Sequence, residues 1–282
     1  MTHAFGSCAN EEKLLPTNEF KQEAAMERLT IPTLEELRTV SWDRSDAPGM
    51  GLFGFAGRDI RSRSFNLLRT QLTRLAETKG WKSFGVVSAA PGAGKSFVSA
   101  NLAAAMSLTP GRQVYLFDFD LRRPSVARNF GFSPEIGLER FLSGDTASLT
   151  DIGYRLDEER LAIFPSAPTS LPSAELLTGV PMTQMMTAMH QLPDQLFRIC
   201  DLPPAFANDD AALVAKHLDA YLLVVEQGRT TAKQIRDTME FLEPTPCAGT
   251  VLNRYVGGIA GGDYGFGYSQ SSYSGYFDQL GE

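Results

Sequence analysis

The stretch Ala89-Ala90-Pro91-Gly92-Ala93-Gly94-Lys95-Ser96 constrains the fold more than any other part of the chain. An apolar run, Phe84 to Val87, precedes it and reads as a buried strand. The alanine-rich run Phe97 to Met106 follows and reads as a helix. A strand that passes through a tight small-residue loop into a helix at Gly-Lys-Ser is the context of a phosphate-binding loop. Gly92 and Gly94 let backbone amides turn inward and approach phosphate oxygens closely. Lys95 is placed to reach the β- and γ-phosphates of a nucleotide, and the Ser96 hydroxyl to sit on Mg²⁺. The helix that starts beside Ser96 adds unpaired N–H groups and the positive end of its dipole. Ala89 stands where the first glycine of such loops is usual, and a small residue is the mildest change there.

A chain of 282 residues holds one α/β domain of ordinary size plus extensions, and its 43% apolar content is ample for a packed core. The net charge of −7 argues against a protein that coats nucleic acid. Cys8, Cys200 and Cys247 are too scattered for a disulfide framework or a zinc site, which fits a reducing cytoplasm. The start, Met1-Thr2-His3-Ala4-Phe5, lacks the basic and apolar regions of a secretory signal. No run approaches the length that crosses a bilayer, so membrane association is expected only through a partner.

Taken in order, residues 1–57 read as an N-terminal arm and linker. Asn18 to Leu29 and Thr33 to Val40 are its candidate helices, and the glycine- and phenylalanine-rich Gly49 to Gly57 is a linker or lid. Ile60 to Thr78 has Phe65, Leu68, Leu72 and Leu75 near helical spacing, with arginines on the other faces. Val114 to Phe117 is a second strand candidate that ends in Asp118-Phe119-Asp120-Leu121-Arg122. Carboxylates at alternate positions leaving a strand point to one side; beside a triphosphate they hold metal or its water shell, or accept a proton. Gly131 to Gly144 reads as a loop and short helix, and Leu161 to Phe164 as a strand. Pro172 to Leu177 and Pro181 to Leu192 read as helices. Leu196 to Asp201 is a further strand ending in an acid, fixed by Pro203 and Pro204, and Asp201 is the candidate that organises Mg²⁺. Helices over Asp210 to Leu218 and Thr230 to Leu242 alternate with strands over Ala220 to Val225 and Ala248 to Asn253. The alternation implies a doubly wound, mostly parallel α/β sheet with helices on both faces and ligands at the carboxyl ends of its strands. From Tyr255 the chain becomes a glycine-rich tail carrying Tyr264, Tyr268, Tyr273 and Tyr276, which reads as a segment able to present tyrosines to another subunit.

These residues together resemble the bacterial tyrosine kinases (BY-kinases) of the CpsD/CapB type, within the MinD/ParA-like class of P-loop ATPases. Ala90 to Ser96 is similar to their Walker A, Tyr115 to Arg122 to their Walker A′, and Ile199 to Pro204 to their Walker B. Pro172 to Leu177 resembles a further family segment, and Val251 to Arg254 the strand end beside the base. The tail sits where the family carries its autophosphorylation cluster. The resemblance runs from about residue 58 to the end, and so implies a kinase domain over 58–254 and a tyrosine tail over 255–282.

What it implies is a cytoplasmic kinase that passes the γ-phosphate of ATP to tail tyrosines of a neighbouring copy, as a homo-oligomer. Its activator would be a transmembrane polysaccharide co-polymerase, a Wzz-like chain-length regulator, and its output the control of exopolysaccharide or capsule synthesis and export. By that resemblance Pro91, Gly92, Ala93, Gly94, Lys95, Ser96 and Phe97 hold the nucleotide, with Arg122 on the phosphates and Asn253 and Arg254 near the base. Ser96, Asp118 and Asp201 would organise Mg²⁺, and Asp120 would assist the tyrosine hydroxyl, with Lys95, Asp118, Asp120 and Asp201 as the catalytic set. Two positions depart from the pattern: the subunit-contact helix reads Arg63, Asn66 and Arg69 where an acid and two arginines are usual, and Leu202 replaces a hydroxyl residue after the Walker B acid. Two other readings use the same fold, a MinD/ParA-like switch ATPase and a nucleotide-responsive regulator without transfer activity. The switch ATPases carry a lysine where this chain has Ala90.

Overall fold

Periodicity places apolar residues on both faces of the strands, and the sheet is covered accordingly. The computed structural model describes residues 29–57, 59–145 and 148–255. Eight strands form one sheet: β1 (Arg38–Val40), β2 (Ser83–Ser88), β3 (Gln113–Asp118), β4 (Tyr154–Leu156), β5 (Leu161–Phe164), β6 (Leu196–Asp201), β7 (Ala220–Glu226) and β8 (Cys247–Asn253). Their order is β1-β4-β5-β3-β6-β2-β7-β8. From β5 to β8 every pairing is parallel; β4 runs antiparallel to β5, and β1 pairs parallel with β4. Because β6 lies between β2 and β3, the carboxyl ends of these three central strands, which lead to Lys95, Asp118 and Asp201, lie side by side.

Alternate residues of each strand enter two apolar layers. Val114 and Leu116 pack with α1 (Arg63–Lys79) and α2 (Lys95–Ser107) on one face. Tyr115 and Phe117 pack on the other face with α6 (Ser173–Thr178), α7 (Val180–His190) and α8 (Asp210–Ala215). Three short helices, α3 (Val126–Asn129), α4 (Leu138–Leu142) and α5 (Leu149–Ile152), fill the crossover between β3 and β4, and α9 (Ala232–Phe241) joins β7 to β8.

The expected helix over Thr33 to Val40 is corrected. The capping box of Thr33 and Glu36 forms, but it opens a single 3-10 turn over Leu34–Glu36, and the chain then extends as β1. Leu34 and Leu37 are drawn into the core under the sheet, and the Tyr115 hydroxyl donates to the Pro32 carbonyl at 2.8 Å. Leu52 and Phe55 are buried on the opposite face. Residues 29–57 are therefore part of the folded body rather than an arm. The helix expected over Asn18 to Leu29 and the tail tyrosines lie outside the described residues, apart from Leu29, which is not helical.

Candidate active site

The Gly-Lys-Ser loop takes the shape its glycines permit. Gly92 and Gly94 have φ of +87° and +92°, which L side chains rarely adopt. At Gly94 a Cβ would also come within 2.2 Å of Asn253 Nδ2, which donates to the Ala93 carbonyl at 2.8 Å. Asn253, at the end of β8, thus shapes the loop from outside. The first helical bond runs from the Val98 amide to the Gly94 carbonyl, so helix geometry leaves the amides of Lys95, Ser96 and Phe97 without intrahelical acceptors. Those donors, the loop and the helix dipole make an anion-binding end.

Three carboxylates converge on that end. Lys95 Nζ lies 2.8 Å from Asp120 Oδ2 and 3.3 Å from Asp201 Oδ2. The Ser96 hydroxyl donates to Asp201 Oδ2 at 2.5 Å, and the Ser99 hydroxyl reaches Asp201 Oδ1 at 2.9 Å. Burial opposes the charge on Lys95, but Asp201 and Asp120 outweigh it and hold its pKa above the ordinary lysine value. Asp201 is wholly buried, and that desolvation raises its pKa against the pull of Lys95, Ser96 and Ser99.

Asp118 and Asp120 are separated by their surroundings. Asp118 is fully buried, and burial together with the neighbouring Asp201 pushes it up to about 7. Its Oδ1 accepts from the Asp120 amide at 3.2 Å, and its Oδ2 from the amides of Ser125 and Val126 at 2.9 and 3.0 Å. Asp118 is thereby tied to the loop that carries Asp120. Asp120 faces the Lys95 ammonium, and its Oδ1 accepts from the Arg123 amide.

The remaining candidates fall at varied distances from this centre. The Phe97 ring packs edge-on against Phe53 and Phe65, so only its backbone amide faces the loop's work. Arg122 Nε donates to Ser173 Oγ at 2.9 Å and lies 3.4 Å from the buried Asp210, to which Ser173 itself donates at 2.6 Å. The Arg254 guanidinium is bonded to Glu226 at 2.9 Å. Leu202 is fully buried and packs over Gly85, where a Cβ would meet Leu202 Cδ1 at 2.8 Å; its side chain serves the core and not the site. Among the described residues, no group of three or more His, Cys, Asp or Glu is arranged to hold a metal ion. A divalent ion here would need the Ser96 hydroxyl and phosphate oxygens beside the carboxylates, which is how Mg²⁺ usually accompanies a nucleotide.

Residues 84–261 match the family model of the CobQ/CobB/MinD/ParA nucleotide binding domain. The tyrosine-protein kinase CpsD of Streptococcus agalactiae is 30% identical over 205 residues, covering 71% of this chain and 87% of that protein. The chain belongs to the bacterial tyrosine-kinase family. A longer relative, the putative tyrosine-protein kinase EpsB of Ralstonia nicotianae, is 33% identical over 190 residues, and the alignment takes in 66% of this chain but only 24% of EpsB. This chain therefore spans about a quarter of that family member. The kinase domain of the Escherichia coli tyrosine kinase ETK superposes with a TM-score of 0.65 at 27% identity, covering 77% of this chain and 85% of that one. MinD of Pyrococcus horikoshii, solved with Mg-ADP, gives a TM-score of 0.51 at 25% identity over 62% of this chain and 70% of its own. The nucleotide-binding class and the doubly wound fold are thus shared across the family and its MinD-like relatives.

Sequence reasoning overlooked several contacts of the centre. Ser99 offers no motif of its own, although its spacing of four from Lys95 puts it on the same helix face. Ser166 donates to the Asp118 carbonyl at 2.6 Å from the loop after β5, a contact without any local signal. Asn129 donates to the Ser96 carbonyl at 3.2 Å. The segment Pro172 to Leu177 reads as a helix start, but the role of Ser173 as the anchor of Arg122 becomes visible only when β3 and α6 come together. No helix among the described residues is long and apolar enough to cross a membrane.

Proposed function

We propose that this chain is an ATP-dependent protein tyrosine kinase that phosphorylates the tail of a neighbouring copy. The observation that carries the reading is the Lys95 ammonium held between Asp120 and Asp201 at the mouth of the glycine loop. Three segments distant in sequence supply one cation for phosphates and two carboxylates of different environment. The residues fit a nucleotide: the positive-φ glycines leave the loop backbone open, and the amides at the start of α2 have no helical acceptor.

In this mechanism Lys95 and the amides of Gly92 to Phe97 bind and orient the β- and γ-phosphates of ATP. Ser96, Asp118 and Asp201 would hold Mg²⁺, and Asp118 also fixes the loop of Asp120 through the backbone amides it accepts from. The bound ion would neutralise charge on the phosphates during transfer. Asp120 is the group placed to take the proton of the attacking tyrosine, whose free pKa near 10 makes a positioned carboxylate necessary. Arg122, two residues after Asp120 and held by Ser173 and Asp210, would meet the negative charge of the incoming segment or of the phosphates. Asn253 and Arg254 flank the nucleotide from β8. Tyr264, Tyr268, Tyr273 and Tyr276 are the proposed acceptors, in a tail that lies outside the described residues.

The family resemblance supports a setting in polysaccharide synthesis and export at the inner face of the membrane, with a transmembrane co-polymerase as activator and a homo-oligomer as working form. Phosphotyrosine mapping by mass spectrometry tests the reading. The protein is incubated with Mg²⁺-ATP, with and without the cytoplasmic end of such a partner, beside a Lys95→Met control. Phosphate on the four tail tyrosines, absent from the control, is expected. ATP turnover with an unmodified tail would assign the chain to the switch ATPases instead, and binding without turnover to a regulator.

A further inference from the structure

We infer that Ser99 sets the orientation of Asp201 and thereby the response of the nucleotide site to Mg²⁺, an inference that rests on the nucleotide reading above. Ser99 lies one helical turn beyond Lys95 and three residues after Ser96, so the three side chains share the face of α2 turned to the end of β6. It is fully buried. Its hydroxyl stands 2.9 Å from Asp201 Oδ1 and 3.0 Å from the Lys95 carbonyl. Both neighbours are acceptors, and a hydroxyl has one proton to give. A serine within a helix ordinarily spends that proton on the carbonyl four residues back. A carboxylate is the stronger acceptor, and here one is within reach.

The two oxygens of Asp201 are held unequally. Oδ2 takes the Ser96 hydroxyl at 2.5 Å and the Lys95 ammonium at 3.3 Å. Among the described residues, Ser99 is the one hydrogen-bond donor to Oδ1. Without it a wholly buried oxygen, beside the carboxylates of Asp118 and Asp120, would have no donor, and the side chain would be held through Oδ2 alone. Nothing next in the chain can replace the contact, because Leu202 is committed to the core over Gly85. Ser96 and Ser99 therefore pin opposite oxygens of one carboxylate. The consequence is that Oδ2 stays at the hydroxyl proposed to meet Mg²⁺. Ser99 touches neither phosphate nor metal in this scheme; it is a positioning residue.

The test is equilibrium binding of a fluorescent ADP analogue to the full chain, in excess Mg²⁺ and in EDTA, for the parent protein and for Ser99→Ala, Ser99→Thr and Ser99→Cys. The readout is the ratio of the two affinities, which a merely structural role would leave alone. Ser99→Ala is expected to lower the Mg²⁺ enhancement on the order of tenfold, the scale seen when a partner behind a metal ligand is removed. Affinity in EDTA should stay within about twofold, and Ser99→Thr, which keeps the hydroxyl, should keep the enhancement. An undiminished enhancement in Ser99→Ala would overturn the inference. If Ser99→Ala does not fold, Ser99→Cys decides: its weak donor must show the same fall, and a full enhancement overturns the inference. A parent protein that binds the analogue in neither buffer would sink the underlying nucleotide reading, whereas one that binds equally well in both would overturn the inference alone, so the two failures are distinguished.

Discussion

Helix α2 is gripped at two places by chemistry of opposite kinds. At its start, Lys95, Ser96 and Ser99 meet buried carboxylates from the loop after β3 and from the end of β6. Two turns on, a loop from the N-terminal region lies directly on the helix backbone. There the Asn101 side chain accepts from the Gly54 amide at 2.9 Å and donates to the carbonyls of Gly51 and Phe97 at 2.9 and 3.0 Å. Phe53 and Phe65 close over Phe97, and Arg61 covers Phe53 at 4.1 Å. The first grip is charged and confined to the mouth of the site; the second is a buried amide and aromatic rings. The difference teaches that the loop's position depends on a brace with no phosphate chemistry, built from residues 51–55.

The comparison can be broken most sharply with two glycine substitutions. At Gly54 an added Cβ would lie 2.1 Å from the Asn101 carbonyl oxygen and 2.9 Å from the Ala105 amide nitrogen, so the brace must lift off. Gly54→Ala is expected to destabilise the protein by about 3 kcal/mol, the upper range for overpacking, as read in denaturant unfolding. Gly94→Ala meets a left-handed φ and only the movable amide of Asn253. It should cost about 1–2 kcal/mol of stability and much more of its effect in nucleotide affinity. Equal losses of stability in the two variants would show that the two grips are not distinct.

Asp118 gives a second, pH-dependent contrast within the charged grip. Burial and the nearby Asp201 push its carboxyl up to about 7 in the folded protein, well above the ordinary carboxylate range. Such a group binds its proton more tightly when folded, so its contribution to stability is complete below about pH 4 and is lost as pH rises through 7. Asp118→Asn keeps an acceptor for the loop amides and carries no charge. In EDTA its melting temperature should therefore exceed that of the parent above pH 7, by the equivalent of a few kcal/mol at most, and converge with it towards pH 4. A parallel pH profile for the two proteins would remove Asp118 from the buried charge balance.

How much of this was legible in the sequence differs between the two grips. The charged grip announces itself locally: Gly92 and Gly94 before Lys95-Ser96, and acids at the ends of apolar runs. Strands β2, β3, β5, β6 and β7 follow from those runs because they are buried on both faces, whereas β8, at the edge of the sheet, is only partly buried. The brace has no such signature. Gly54 is there because two backbones touch, and Asn101 looks like one polar residue in an alanine-rich helix. Strands β1 and β4, three residues each and partly exposed, are too short to show a period, and Thr33 with Glu36 imitated the start of a longer helix. The spacing of Arg122 from Asp120 was readable, but its bond to Ser173 was not, since β3 and α6 are separated by some fifty residues.

The smallest expected effect concerns the outer rim of the N-terminal region. Arg44 makes a paired contact with the buried Glu159, both bonds at 2.8 Å, while its own side chain is half exposed. Arg44→Ala should cost about 1 kcal/mol once solvent screening is allowed for, and leave nucleotide affinity unchanged. A loss of affinity there would extend the brace from residues 51–55 to the whole N-terminal region.

The proposed kinase reading makes its most direct claim about where the phosphate goes. Lys95→Met, with an intact tail and no transfer centre, is mixed with a tail-less chain ending at Tyr255, and Mg²⁺-ATP and the activating partner are added. The account expects phosphotyrosine on the tail of the Lys95→Met copy in the mixture and none when either protein is incubated alone. An unmodified tail in the mixture, under conditions where the parent chain phosphorylates its own, would contradict transfer between copies.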